Sequence, residues 1–174
     1  DGSVLYPGHG IKGYPLDSYL KVRAITLASD GSVWAGTTDG ILILKYDARH
    51  NRIKTEILHQ TSKIEEQLGN NDIIQIVKAH DGSMWIATNG GGLGHSIGKD
   101  ENGYWKFETF GGKDGLPSDE IRSITFSNDG SIWFAADQSI CSYDPQKKLF
   151  TTFSIQDGVG GIACSESAAI TLPD

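Results

Sequence analysis

The sequence predicts an all-β fold, a β-propeller assembled from four-stranded antiparallel blades. The phrase Asp-Gly-Ser-x-Trp occurs three times, beginning at Asp30, Asp81 and Asp129, so that the copies lie 51 and then 48 residues apart. A period near 50 residues is typical of stacked or circular repeat arrays. The runs that flank each phrase are short and rich in β-branched residues, and they do not show the 3.6-residue period of helices. Together these observations favour a propeller over a helical solenoid.

The first two strands of each repeat flank the Asp-Gly pair. Alternating apolar runs precede it at residues 22–28, 73–79 and 121–127. Asp-Gly then predicts a tight hairpin turn, because glycine tolerates the positive φ that such turns require. The second strand contains the tryptophan and covers residues 32–37, 83–88 and 131–136. A role of the aspartates in calcium loops is disfavoured, because the spaced oxygen ligands of such loops are absent.

Two further strands complete each repeat after a small or polar turn. The third strand is predicted at residues 41–47, 93–99 and 140–144. The fourth strand is predicted at residues 52–58, 104–110 and 148–154. Since four antiparallel strands make one propeller blade, these segments predict three complete blades, at residues 22–58, 73–110 and 121–154.

The two ends of the chain carry the same pattern in pieces. Residues 168–174 match a first strand, residues 1–7 match a turn with a second strand, and residues 10–15 follow as a third strand. We expect one domain of about four blades, the fourth combining residues 1–21 with residues 168–174. The ends either close the ring as this shared blade, which would remove exposed sheet edges, or belong to a fragment of a larger propeller. Because the chain opens in the middle of a hairpin pattern, we expect an excerpt of a longer protein.

Charge and composition narrow the classes of partner. The 174-residue chain has a net charge of −7, and it has no cluster of lysines and arginines that could neutralise nucleic-acid phosphates. An anionic membrane surface is disfavoured for the same reason, and no apolar run approaches the roughly 20 residues that span a bilayer. A membrane would then be reached only through a part of the protein outside this segment. No dinucleotide motif or metal-ligand spacing occurs, so we expect no cofactor and no metal.

Four side chains are predicted to lie in the interior. Trp34, Trp85 and Trp133 occupy the same position of successive repeats. We expect them to pack between neighbouring blades, because a large aromatic side chain buries much apolar area. Cys141 lies at an inward-facing strand position, where a buried free thiol is expected. A disulfide with Cys164 stays open, since two cysteines do not decide the redox compartment.

The three phrases resemble the two-component regulator propeller repeats. The pattern of that family is a first strand ending in Asp, then Gly-x-φ-Trp-φ-Gly-Thr, a later Gly-Leu and a later Tyr-Asp. The first phrase, "DGSVWAGTTDGILILKYD", fits almost throughout. The second has Ala87 in place of the family's Gly, and the third has Ala135 and Ala136 in place of Gly-Thr. The linker "GGKDGLPSDEIRSI" at 111–124 is similar to the family's approach to the next blade.

The resemblance implies a function. In this family the propellers form the extracytoplasmic sensor of membrane receptors, often hybrid histidine kinases, and several such receptors respond to oligosaccharides. The resemblance therefore implies that this chain is a periplasmic, non-catalytic sensor domain in bacterial signal transduction. Its ligand would be a small molecule or an oligosaccharide. Its protein partners would be other propeller blades or a second subunit. Two alternatives stay open: a structural module for protein interaction, and a secreted propeller lyase or hydrolase. A pocket that holds His9 beside carboxylates would favour the enzyme.

Blade topology predicts which loops form the ligand face. The turn between the second and third strands and the link to the next blade emerge on the same face of a blade. Polar side chains converge there around the central channel, as expected of a ligand site, and no catalytic motif accompanies them. We expect ligand-binding residues on this loop face at His9, Asp39, Asn89, Lys113, Asp114, Ser118, Gln138 and Asp157.

Overall fold

The computed structural model describes residues 4–16, 20–59, 67–159 and 164–170 of the chain. Within them, the strands are β1 Tyr6–Pro7, β2 Gly10–Lys12, β3 Val22–Leu27, β4 Val33–Thr37, β5 Gly40–Asp47, β6 Arg52–Leu58, β7 Ile73–Lys78, β8 Met84–Thr88, β9 Leu93–Lys99, β10 Trp105–Phe110, β11 Ile121–Phe126, β12 Ile132–Ala136, β13 Ser139–Asp144 and β14 Leu149–Phe153. Two short 3-10 helices cover Gly112–Asp114 and Ile155–Asp157. Among the described residues no helix has the length and hydropathy needed to cross a bilayer.

Three four-stranded antiparallel units confirm the predicted fold class. We call them the first blade (β3–β6), the second blade (β7–β10) and the third blade (β11–β14). Within each blade the strands follow one another in chain order, so every connection is a hairpin. The twelve strands begin and end within one residue of the positions that the repeat predicts. Alternating apolar residues and Asp-Gly turns were therefore sufficient to place them.

The Asp-Gly-Ser turns share one construction. Oδ1 of Asp30, Asp81 and Asp129 accepts a hydrogen bond from the backbone N–H of the serine two residues later, at 3.0, 2.9 and 2.8 Å. The intervening glycines have φ between 78° and 88°, in the left-handed region that favours glycine. The hydroxyl of Ser83, which donates to Oδ1 of Asp81, and the N–H of Ser83 hold the pKa of Asp81 below the usual range of an aspartate. The N–H and the hydroxyl of Ser131 do the same for the pKa of Asp129. Turn formation accounts for the repeated aspartates, as predicted.

The hydrophobic core lies between the blades. Trp34 of the first blade is buried against Ile76 of the second, and its ring meets the edge of Trp105 at a centroid distance of 4.8 Å. Trp85 of the second blade is buried in the next interface, 5.9 Å from the ring of Tyr143 in the third. The prediction that the repeated tryptophans pack between neighbouring blades is confirmed for these two. Adjacent blades are thus held together by their apolar faces.

The third tryptophan and the two cysteines lie in or beside the third blade. Trp133 is only half-buried, and it stacks on Phe153 of its own blade at 5.6 Å. Cys141 is buried and free, and burial raises the pKa of its thiol. Cys164 is half-buried and also free, so the two cysteines form no disulfide. The predicted buried free thiol is confirmed.

The N-terminal strands are placed differently from the expectation. We expected residues 10–15 to form the third strand of a separate, shared blade. Instead β2 pairs in parallel with β6, with Ile11 opposite Ile53, and β1 pairs in parallel with β2. The first blade is thereby extended to a six-stranded sheet. The outer edge of a blade offers unpaired N–H and C=O groups, and a short extended segment can satisfy them without a sequence pattern of its own.

The shared fourth blade stays a prediction. Its first strand was expected at residues 168–174, of which 171–174 lie outside the described residues. Residues 1–3, at the start of its expected second strand, also lie outside them. Residues 168–170 are described, and they are not part of a strand.

Candidate functional site

The first strands of the three blades lie side by side around the centre of the molecule. β3 contacts β7, and β7 contacts β11. Val22, which begins β3, pairs with Thr37 at the end of β4, and Ile73, which begins β7, pairs with Thr88 at the end of β8. The starts of the inner strands therefore share one face of the molecule with the turns between second and third strands. This is the loop face on which a ligand site was expected.

A group of charged and polar side chains lies on this face, where the inner strands begin. We call it the central polar cluster. Its ion pairs and hydrogen bonds connect β3, the links that precede β7 and β11, the turn after β8, β11 itself and the segment after the third blade. Its members are Arg23, Asp72, Asn89, Glu120, Arg122 and Glu166.

Asp72 joins the first blade to the second. Its Oδ1 atom is 3.2 Å from Nη1 of Arg23, and its Oδ2 atom accepts a hydrogen bond from Nδ2 of Asn89 at 2.9 Å. The backbone N–H of Asn89 donates to the backbone oxygen of Asp72, also at 2.9 Å. The carboxylate is thus fixed between an inner strand and the turn after β8.

Glu166 joins the first blade to the third. Its Oε1 atom is 3.7 Å from Nη1 of Arg23 and 4.0 Å from Nη1 of Arg122. Arg122 also pairs with Glu120, and its backbone oxygen accepts a hydrogen bond from the N–H of Ser167 at 2.9 Å. The segment after the third blade therefore reaches back to the start of β3, so that one cluster connects all three blades.

Glycines allow the loops around the cluster to approach closely. A Cβ atom on Gly91 would lie 2.3 Å from the carbonyl carbon of Gly69, so neither loop could keep this position with a larger residue. The N–H groups of Gly90 and Gly92 donate to the backbone oxygen of Asp119 at 3.1 and 2.8 Å. These contacts bring the turn after β8 against the links that carry Asp72 and Glu120, which positions both acids.

Two donors of the Arg23 side chain have no hydrogen-bond partner in the part of the chain that the structure describes. Its side chain is 19% exposed, yet Nε and Nη1 are buried and have no hydrogen-bond acceptor among the described residues. The approach of Nη1 to Asp72 Oδ1 is an ion pair without hydrogen-bond geometry, and that oxygen is unsatisfied as well. Buried polar groups without hydrogen-bond partners cost about 1–3 kcal/mol each, a cost that a ligand or water oxygen beside Arg23 would offset.

The chemistry of the cluster is mixed. It contains two guanidinium groups, three carboxylates and one amide, so donors and acceptors lie side by side with little net charge. A simple anion would be repelled by the carboxylates, whereas a ligand with many hydroxyl groups could both donate and accept. Among the described residues, no group of three or more His, Cys, Asp or Glu is arranged to hold a metal ion.

Two of the predicted ligand residues lie in or beside the cluster. Asn89 belongs to it through Asp72. Ser118 is half-buried, and its Oγ atom accepts a hydrogen bond from the N–H of Glu120 at 3.1 Å, so it shapes the link that carries that acid. Asp39 lies in the equivalent turn of the first blade, where its carboxylate is 3.9 Å from Nε2 of His59. None of the described contacts of Asp39 involves a member of the cluster.

The remaining predicted residues are exposed and lie apart from the cluster's contacts. Asp114 and Asp157 each accept a hydrogen bond from the backbone N–H three residues earlier, at 2.8 and 2.9 Å, so their carboxylates stabilise the two 3-10 helices. Lys113 lies in the first of these helices. Gln138 is at the tip of the turn after β12, with φ of 55°. His9 stacks on the ring of Tyr6 at 5.1 Å, beside the outer edge of the first blade.

The sequence analysis did not single out the acids and arginines of the cluster. A repeat alignment contains the signal for four of them. Arg23 and Arg122 occupy the second position of the inner strand, and Asp72 and Glu120 directly precede that strand. Equivalent positions of different blades lie close together around the centre of the molecule. A charged residue that recurs at such a position in the repeats is therefore expected to lie on the central face. Glu166 lies outside the repeat, and only the structure brings it into the cluster.

The comparisons with known proteins identify the repeat. The family model named two component regulator propeller matches residues 67–90 and 115–138, which cover the start of the second blade and of the third. No curated protein sequence matches the chain significantly. The predicted resemblance is therefore confirmed at two of the three repeats.

Solved structures resemble the chain at low sequence identity. Virginiamycin B lyase from Staphylococcus aureus is 17% identical with a TM-score of 0.53, over 80% of this chain and 43% of that one. The β-propeller domain of Myceliophteria thermophila Cps50 (Swd1) is 14% identical with a TM-score of 0.51, over 78% of this chain and 44% of that one. The extracellular domain of the BT3049 hybrid two component system from B. thetaiotaomicron is 20% identical with a TM-score of 0.44, over 85% of this chain and 25% of that one. The chain thus spans less than half of each, and the first two likenesses support the propeller fold alone.

Proposed function

We propose, from the two component regulator propeller repeats that this chain contains, that it is a ligand-sensing propeller domain of a bacterial two-component receptor. In this proposal the domain lies outside the cytoplasm and has no catalytic activity of its own. The observation that carries the ligand-sensing role is the central polar cluster, where the buried donors of Arg23 have no hydrogen-bond acceptor among the described residues. A ligand oxygen that reached these donors after a movement of the Arg23 side chain would offset part of their desolvation cost.

An oligosaccharide is the ligand class that the cluster supports best. Sugar hydroxyls donate to carboxylates and accept from guanidinium groups, and both kinds of group lie side by side here. Hydrogen bonds to charged groups contribute about 1.5–3 kcal/mol each, so a few of them suffice for a specific complex. The excess of carboxylates over guanidinium groups favours a neutral sugar over an acidic one.

The position of the cluster suggests how binding would become a signal. Glu166, in the segment after the third blade, pairs with arginines of the first and third blades. A ligand that competes for those arginines would change the position of this segment relative to the blades. Binding can shift such an equilibrium only by the difference between the ligand's affinities for the two arrangements.

Calorimetric titration of a panel of neutral and acidic oligosaccharides tests the proposal. We expect at least one neutral oligosaccharide to bind, and Arg23→Met to weaken that binding by about tenfold or more, because a charged hydrogen-bond donor is lost. Arg49→Met is the matched control, since Arg49 is exposed in the hairpin between β5 and β6. If no saccharide binds, or if both variants bind equally well, the cluster is not the site.

The alternative function, a lyase or hydrolase, has less support. Its expected sign was a pocket in which His9 lies beside carboxylates, and His9 stacks on Tyr6 beside the outer edge of the first blade instead. Three described histidines contact acids: His50 pairs with Asp47, His59 with Asp39 and His95 with Glu108. None of these acids is a member of the cluster. Turnover of a bound saccharide, detected as new products by chromatography, would favour the enzyme over the sensor.

A further inference from the structure

A histidine of the second blade occupies a position at which the first blade has a buried isoleucine. His95 on β9 pairs directly with Trp85 on β8. The equivalent pair of the first blade is Ile43 on β5 and Trp34 on β4, and Ile43 is buried against the second blade. The side chain of His95 is 21% exposed. The second blade thus has an ionisable ring where the repeat accommodates an apolar side chain.

The ring of His95 is connected to the contact between the second and third blades. It stacks on Trp85 with a centroid distance of 4.2 Å and an interplanar angle of 16°. Trp85 lies 5.9 Å from the ring of Tyr143 in the third blade, and both residues belong to the buried cluster between these blades. The charge of His95 therefore bears on a residue that holds the second and third blades together.

Two acids of the second blade act on His95. Oε2 of Glu108 is 3.8 Å from Nδ1 of His95, and Asp81 lies in the turn that precedes β8. Asp81 is exposed and the side chain of Glu108 is 50% exposed, so water screens their attraction for a charged imidazolium. The third blade contributes Tyr143, whose hydroxyl is uncharged near neutral pH, since burial raises its pKa further.

Burial of the ring opposes its protonation more strongly than the two acids favour it. An imidazolium needs hydration, and a ring packed flat on Trp85 has no water on that side. The screened acids offset only part of this cost, so burial lowers the pKa of His95. The folded chain therefore holds His95 neutral, and the unfolded chain binds the proton more readily.

We propose that His95 makes the contact between the second and third blades sensitive to pH. At neutral pH the uncharged ring packs on Trp85 and supports its contact with Tyr143. In mild acid the ring gains a proton and must be hydrated. Hydration weakens its packing on Trp85, and the second blade then holds the third less firmly.

The same two blades meet on the loop face. The N–H groups of Gly90 and Gly92 donate to the backbone oxygen of Asp119, which ties the turn after β8 to the link that precedes β11. Asn89 and Glu120 of the central polar cluster belong to that turn and that link. Mild acid would therefore loosen the two blades between which part of the cluster is built. This effect requires no ligand, so it is independent of the proposed function.

Urea unfolding of the wild-type chain and of His95→Phe at a series of pH values tests the proposal. The lowered pKa of His95 contributes stability that is present above the ordinary histidine pKa of about 6.5 and is lost as the pH falls from there through the lowered pKa. Phenylalanine keeps an aromatic ring on Trp85 but binds no proton. Between about pH 7.5 and about pH 5, the urea midpoint of the variant should therefore fall less than that of the wild type. His80→Phe is the matched control, since His80 is exposed in the turn after β7, and it should keep the wild-type profile.

Nuclear magnetic resonance of the wild-type chain locates the effect even if His95→Phe folds poorly. The ring protons of His95 should titrate below the ordinary histidine pKa. The Glu108→Gln variant should move this midpoint lower still, because it removes a negative charge that favours the proton. The ring signals of Tyr143 should shift with the same midpoint as those of His95.

Three results would overturn the proposal. If His95 titrates at or above the ordinary histidine pKa, the acids and the indole face stabilise its charged form. If the Tyr143 signals do not follow the titration of His95, its charge does not reach the third blade. Equal pH profiles of the wild type and His95→Phe would show that this proton has no effect on stability.

Discussion

Replacing Ile76 by Ala should destabilise the chain strongly, because Ile76 is an inner-strand residue buried between two blades. It is 3% exposed and packs in the cluster that contains Trp34 and Phe107. The change removes three carbon atoms, and each buried methylene-sized group contributes about 0.8 kcal/mol before the cost of the cavity is added. We therefore expect the free energy of unfolding to fall by about 3 kcal/mol, within the usual range of about 2–5 kcal/mol for this substitution.

The control for this prediction is Ile97→Ala in the same blade. Ile97 is 48% exposed, so the same chemical change should cost less than about 1 kcal/mol. Urea unfolding at one protein concentration, followed by tryptophan fluorescence, measures both variants. Equal losses of stability would refute the argument, since they would show that burial against the neighbouring blade does not distinguish Ile76 from Ile97.

Three further predictions follow from single contacts. Gly36→Ala should lower the free energy of unfolding by about 1–3 kcal/mol, because the new Cβ atom meets Cγ2 of Ile73 at 2.6 Å. In urea unfolding, the double variant with Ile73→Ala should lose less stability than the sum of the two single losses. The lowered pKa of Asp81 contributes stability that is present above the ordinary pKa of an aspartate and is lost as the pH falls through the lowered pKa. Asp81→Asn, which keeps an acceptor for the turn, should reduce the acid-induced fall in melting temperature, and an unchanged profile would contradict this assignment. A thiol reagent should label half-buried Cys164 well before buried Cys141, whereas simultaneous labelling would show that the third blade opens readily.

The blades could be predicted from sequence because their information is local and repeated. β7 was expected at 73–79 and lies at Ile73–Lys78, and the turn after it is formed within residues 79–83, where Oδ1 of Asp81 accepts from the N–H of Ser83. The parallel pairing of β2 with β6 could not be predicted in this way. A three-residue strand at a sheet edge pairs through its backbone, so its sequence does not specify which edge it joins.

The candidate site was only partly predictable because it is assembled from distant parts of the chain. Topology predicted polar side chains where the links and turns meet, and one residue that it named, Asn89, belongs to the cluster. The sequence places Arg23 in a first strand, but it does not show that two of its donors lack acceptors among the described residues. The approach of Glu166 to Arg23 spans most of the chain length, and such a contact is determined by the arrangement of whole blades.

The most direct test of the ligand-sensing proposal is to locate the bound ligand on the labelled chain. Backbone amide chemical shifts can be followed by nuclear magnetic resonance while an oligosaccharide that binds in calorimetry is added. The account predicts that the largest changes occur at Asn89, Glu120 and Arg122, and that the Asp-Gly turns at the opposite ends of the blades do not respond. Changes concentrated at those turns, or in the cavity beside Trp105 between the outer strands, would contradict it.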